Sequence, residues 1–177
     1  LVVLLHAFKV SGTFQKIYFG LESRMNRDGF ILYVPGTVRD TKGHRFWNSM
    51  DYCCNHDLLP VDDVQYLEKS IQKLFSTQPI DRERVYLIGH SNGAMMAHRL
   101  ACEKADLFAG IVSLAGSGLR DLEACKPSSP VSFLEIHAKN DSTVLYNGMS
   151  EASLNKRLKR KSLYPYGPNP ADVRYPS

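Results

Sequence analysis

Residues 84–102 constrain this chain more than any other stretch. Arg84-Val-Tyr-Leu-Ile-Gly89 reads as a buried strand, Ala94-Met-Met-Ala-His-Arg-Leu-Ala-Cys102 reads as a helix, and between them lies the G-x-S-x-G pentapeptide Gly89-His90-Ser91-Asn92-Gly93. A strand that turns this sharply into a helix holds its serine in a strained backbone region. Glycines flank the serine where a Cβ would clash, and its Oγ stands clear of the sheet. The pattern is that of a serine nucleophile.

The flanking sequence repeats the alternation. Leu1-Val-Val-Leu-Leu-His6 is a continuous apolar run, as suits a strand covered on both faces of a parallel sheet. Residues 14–27 carry Phe14, Ile17, Tyr18, Leu21 and Met25 at helical spacing and end at Asp28-Gly29; Phe30–Val34 is a second strand stopped by Pro35-Gly36. Residues 36–60 form a long connection holding the single Trp and a Cys pair, and long loops in compact domains tend to be functional. Asp62 or Asp63 caps a helix reaching about Phe75, with Val64, Leu67, Ile71 and Leu74 on one face. Strands at 109–114 and 131–136 follow. The predicted class is α/β, a mostly parallel sheet with right-handed crossovers and helices on both faces.

With 177 residues, 44% of them hydrophobic, the chain is the size of one domain. We divide it into a core over 1–149 and, over 150–177, a basic helix end with an irregular proline-rich tail. That last segment holds six Lys or Arg against two acids, leaving 16 against 16 in residues 1–149. No aromatic residues interleave with Lys156–Lys161, so the cluster reads as a solvated helix end rather than a nucleic-acid surface. The longest apolar stretch, Leu1–Leu5, is too short to span a bilayer. Four cysteines permit three pairings and point to an oxidising compartment; adjacent Cys53 and Cys54 are free to bond distant partners, and Cys102 reads as a buried helix residue.

A serine nucleophile needs an oxyanion hole, an orienting acid and a general base. In a parallel sheet these gather at the carboxyl ends of strands. The Asn92 amide is one oxyanion donor, and the loop after the first strand supplies the other from Phe8 or Ala7. After the fifth strand, Asp141 stands where the acid of a Ser-Asp-His order belongs, although an Asx turn is an equal explanation from position alone. The six histidines, at 6, 44, 56, 90, 98 and 137, all precede Asp141. The base is therefore expected outside this chain, with His44 and His56 as the nearest exceptions. No zinc-ligand spacing and no G-x-G-x-x-G turn appears, so neither metal nor cofactor is expected.

These residues resemble the secreted α/β-hydrolase esterases of the polyhydroxybutyrate depolymerase-like group, which includes feruloyl and acetylxylan esterases. The resemblance runs over residues 1–149. It is carried by Leu4-Leu5-His6 with Ser11-Gly12, Trp47-Asn48 with Cys53-Cys54, Asp62-Asp63-Val64, Gly89–Met96, Arg99–Cys102, and Ile136-His137 with Asp141. It implies a secreted enzyme with an ester substrate, a Ser91 nucleophile, an Asp141 acid, and Trp47 at an acyl or aromatic pocket or else in the core. The chain departs from the family at Ala7 and Ala138, where glycine is usual. The family's later histidine and outer strands are also not found, so the chain reads as a core incomplete at both ends with an exposed apolar edge, the strands at Leu1 and Ile136 suffering most. Two alternatives stand beside the esterase: an inactive or purely binding fragment, and a peptidase of the same fold.

Overall fold

The computed structural model describes residues 1–119 and 121–148; the basic segment and tail expected over 150–177 lie outside the described residues. Strands β1 (Val2–Leu5), β2 (Leu32–Tyr33), β3 (Tyr86–His90), β4 (Gly110–Leu114) and β5 (Ser132–Ile136) form one sheet, ordered β2-β1-β3-β4-β5. Every neighbouring pair is parallel. The helices are α1 (Gly12–Phe19), α2 (Leu21–Asp28), α3 (Asp63–Thr77) and α4 (Asn92–Glu103). No helix among the described residues is long and apolar enough to cross a membrane.

The continuous apolar run at the start of the chain is an interior strand, hydrogen-bonded on both sides, with Val3, Leu4 and Leu5 fully buried. Val3 and Leu5 face one core, built with Leu87 and Ile111 from the sheet, Val64, Leu67 and Ile71 from α3, and Met96, Ala97 and Leu100 from α4. His90 is out of phase with Leu87 along β3 and meets Gln15 of α1 on the opposite face. Helices therefore cover both faces, as a parallel sheet requires.

Three expectations change. The helix predicted over 14–27 is two helices, broken at Gly20, which sits at φ +62° and closes α1 through its N–H to Ile17 O. Phe14, Ile17 and Tyr18, whose spacing suggests a buried stripe, are 60–66% exposed, while Gln15 is buried. The second strand shrinks from Phe30–Val34 to Leu32–Tyr33 because, at the sheet edge, it pairs only with Val2 and Val3. Of the two strands expected to suffer at an incomplete edge, β1 is interior and enclosed. β5 is the outer strand, exposed along its whole length.

The cysteines pair as Cys102 with Cys125, tying the end of α4 to the loop before β5, and as Cys53 with its neighbour Cys54 rather than with a distant partner.

The elbow leaves no room for a side chain at either glycine. A Cβ on Gly93 would run into the carbonyl oxygens of Leu5 and His6, and one on Gly89 into the backbone of Gly93 and Ala94. Backbone cannot move aside as a flexible side chain can. Gly93→Ala is therefore expected to lower unfolding free energy by about 1–3 kcal/mol, a fall of several degrees in melting temperature by circular dichroism. At Gly118 an added Cβ would meet only ordinary contact with His98, so Gly118→Ala should stay within roughly 0.5 kcal/mol of the parent.

Candidate active site

Because all five strands run the same way, the segments that follow β1, β3 and β5 emerge at one edge of the sheet. Ser91 follows β3 at φ +53° and ψ −114°, outside the allowed basins of an L-residue, at a cost on the order of 1–3 kcal/mol. Its N–H donates to Leu114 O at 2.8 Å, and its carbonyl accepts the first turn of α4 from Met95 N–H at 2.9 Å. The strain predicted from the pentapeptide is present at the predicted residue.

Asn92, the first residue of α4, has two separate parts to play. Its backbone N–H finds no acceptor among the described residues and opens a helix N-terminus, where partial positive charge collects. Its side chain is buried and clamps the long loop: Oδ1 accepts Trp47 N–H at 2.7 Å, while Nδ2 donates to Trp47 O at 3.0 Å and to Ser49 Oγ at 2.9 Å. Of the two readings of Trp47, pocket or core, its surroundings are those of a core residue. It is fully enclosed, its Nε1 donates to His6 O at 3.0 Å and its ring lies against His6.

After β1 the chain makes a tight turn closed by Val10 N–H to Ala7 O, with Lys9 in the third position at φ +68°. The strained residue is Lys9; neither Ala7 nor Ala138 has a left-handed backbone, so a methyl in place of the family's glycine is accommodated at both. Within this loop the Ala7 N–H donates to Gln15 Oε1 at 3.0 Å and the Lys9 N–H to Arg45 O at 2.8 Å. The Phe8 N–H has no acceptor among the described residues. The Phe8 ring is partly buried between His44 and His56, at 5.9 and 5.4 Å.

Beyond β5, Asp141 Oδ1 accepts from the Thr143 and Val144 amides at 2.8 and 2.9 Å. Those two amides hold its carboxyl below the usual carboxylate range, so it is ionised at neutral pH. This is an Asx turn, and the other carboxylate oxygen, Oδ2, lies 3.5 Å from His137 Nε2. Turn and acid are compatible descriptions of one residue.

The histidines hold partners of their own, and for His137 these include that Asp141 carboxylate. His6, buried and pushed below its ordinary value by desolvation, donates from Nδ1 to Ala7 O and accepts from Thr37 Oγ1 at Nε2. His44 Nδ1 lies 3.0 Å from Asp40 Oδ2. His90 turns to Gln15 and stacks on Tyr18, His98 contacts Glu135 and Ser113, and His137 donates to Val144 O at 2.7 Å. His56 packs edge-on against Phe8. Gln15 escapes sequence reading, since a single glutamine among exposed apolar neighbours carries no periodic or motif signal.

A sequence profile of the phospholipase/carboxylesterase family matches residues 60–164. The chain is 36% identical over 153 residues to a protein named as an esterase, NocK, of Nocardia uniformis subsp. tsuyamanensis, covering 86% of this chain and 43% of that one. It is 31% identical over 124 residues to feruloyl esterase B of Piromyces equi, covering 68% and 22%. The chain thus spans less than half the length of these relatives. In fold it superposes on the acetyl xylan esterase of Aspergillus awamori with a TM-score of 0.64 at 18% identity, over 83% of this chain and 64% of that one. With the profile covering more than half of its residues, the chain belongs to the phospholipase/carboxylesterase family of α/β-hydrolases.

Proposed function

We propose that the chain is the core of a carboxylic-ester hydrolase that works through an acyl-enzyme on Ser91. The observation that supports this most is the coincidence, at one sheet edge, of a strained Ser91 with two unengaged amides, Phe8 and Asn92. In this reading Ser91 Oγ attacks the ester carbonyl carbon and its proton passes to a histidine. The two amides hold the oxyanion, the C–O bond to the alcohol breaks as that histidine returns the proton, and water then repeats the sequence on the acyl-enzyme. Asp141 orients the histidine and stabilises its charged form. The names of the relatives support an acyl group of the feruloyl or acetyl type on a polysaccharide, with a polyester as the further candidate. The Cys102–Cys125 bridge supports a secreted protein.

In the protein that carries this core with its histidine, Ser91→Ala should lower p-nitrophenyl acetate hydrolysis by about 10⁴–10⁶-fold. Turnover that survives that change would overturn the reading.

Asp141→Asn separates the two roles of that residue. Asparagine keeps an oxygen for the Thr143 and Val144 amides, so the loop and the melting temperature should hold, while kcat should drop by about 10⁴-fold as the histidine loses its charge partner. The carboxyl's folded value lies below its unfolded one, so its contribution to stability is complete above the ordinary carboxylate range and is lost only as pH falls through the lower folded value. Activity should accordingly fall near the histidine's own titration, well above that of Asp141. Loss of activity that instead tracked acid unfolding would remove Asp141 from this role.

The partners already held by the histidines support a second reading, that these 177 residues by themselves are inactive. The isolated chain should label with a fluorophosphonate slowly or not at all. Fast labelling abolished by Ser91→Ala would show that a histidine within the chain, His44 or His56, serves as base.

A further inference from the structure

Gln15 is the buried member of a helix whose neighbouring large side chains face outward. It is 1% exposed, against 60% for Phe14 and Tyr18. Burying a primary amide costs free energy unless it is hydrogen-bonded, and this one is bonded to two parts of the candidate site at once. Its Oε1 accepts the Ala7 N–H at 3.0 Å and faces His90 Nδ1 at 3.2 Å. An amide oxygen has no hydrogen to give, so Nδ1 must carry the proton, which fixes the tautomer of His90. A single atom on α1 therefore links the turn after β1 to the residue before the nucleophile.

The effect on the turn is selective. Three successive amides, Ala7, Phe8 and Lys9, enter the edge where the oxyanion forms. The outer two are taken, by Gln15 on one side and by the Arg45 carbonyl on the other, and the middle one is left open among the described residues. Were Ala7 N–H released, either amide could turn inward, and the donor would no longer be held where developing charge needs it.

We propose that Gln15 is a positioning residue for acyl transfer: by occupying the Ala7 N–H and the His90 Nδ1–H, it presents the Phe8 N–H as the loop's oxyanion donor. This rests on the esterase reading above. An oxyanion donor acts only when held about 2.7–3.1 Å from the oxygen, and removing one costs about 10²–10³-fold in kcat. A donor left in place but loosely held should cost less than its removal.

The test combines amide hydrogen exchange, read residue by residue by NMR, with p-nitrophenyl acetate kinetics on the protein that carries its histidine. In the parent, the Ala7 and Lys9 amides should be protected and that of Phe8 should exchange readily. Gln15→Leu should expose the Ala7 amide and lower kcat by about 10–100-fold with KM held within about twofold. Gln15→Glu, which restores an acceptor oxygen at the same reach, should recover both Ala7 protection and most of kcat. A merely structural role would change stability without this split between kcat and KM, and without rescue by glutamate. A parent in which the Phe8 amide is protected and that of Ala7 is not would overturn the proposal with no variant needed, as would unchanged kcat in a folded Gln15→Leu protein. Turnover that survives Ser91→Ala would overturn the esterase reading itself, whereas Ala7 exchange unmoved by Gln15→Leu would overturn this proposal and leave that reading standing.

Discussion

The close approach of α4 to the end of β1 is the contact on which the rest of the site depends. Ser91 can occupy its left-handed backbone only because the residues around it hold the chain there. The first turn of α4 is pressed against the Leu5 and His6 carbonyls through the bare Cα of Gly93. A strained residue of this kind costs on the order of 1–3 kcal/mol, which the surrounding packing must exceed. That packing lies directly beneath it, where Leu5, Leu87, Met96 and Leu100 belong to one buried cluster. The same approach sets the Leu5 and His6 carbonyls, just before the turn at Ala7–Val10, against the first turn of α4.

The long loop is fixed from below by polar side chains rather than by apolar packing alone. Asn92 holds the backbone of Trp47 in both directions, Asp63 of α3 accepts the Asn48 N–H at 2.6 Å, and Arg99 of α4 donates to Asn48 O at 2.7 Å. Asn48 in turn donates to Val61 O at 2.8 Å. Each of these groups is buried, so an unmade bond here would cost about 1–3 kcal/mol. The segments that carry the family resemblance, Trp47-Asn48, Asp62-Asp63-Val64 and Arg99, are those of this network. Their chemistry is structural: they hold a 25-residue connection rigid beside the elbow.

This division explains what one sequence could disclose. Strands β1, β3 and β4 are legible because burial inside the sheet demands continuous apolar runs, β5 carries a similar run although it is exposed along its length, and the elbow is legible because steric crowding leaves glycine no substitute. Asp62 as a helix cap is read for the same local reason: its carboxylate accepts the Gln65 N–H at 2.9 Å. What depends on distant partners is not written locally. Gln15 is buried by His90 and Ala7, 75 and 8 residues away, and its helix reverses the face that apolar spacing suggests. The bond from the Trp47 indole to the His6 carbonyl has no local signal, and adjacent Cys53 and Cys54 pair with each other although nothing in their spacing requires it.

The electrostatics of the carboxyl edge follow from the same arrangement. Burial keeps His6 and His90 below their ordinary imidazole values, so both are neutral at pH 7 and hold their neighbours by hydrogen bonds alone. Asp141 is the opposite case, its charge secured by two backbone amides that the turn supplies. An imidazole entering between Asp141 and Ser91 would thus meet a fixed carboxylate on one side and uncharged N–H donors on the other. In the proposed reaction the carboxylate would favour the imidazolium formed as Ser91 loses its proton, and the Phe8 and Asn92 amides would favour the oxyanion formed with it. In that reaction, charge separation in the transition state would be matched at both ends by groups set in place before substrate arrives.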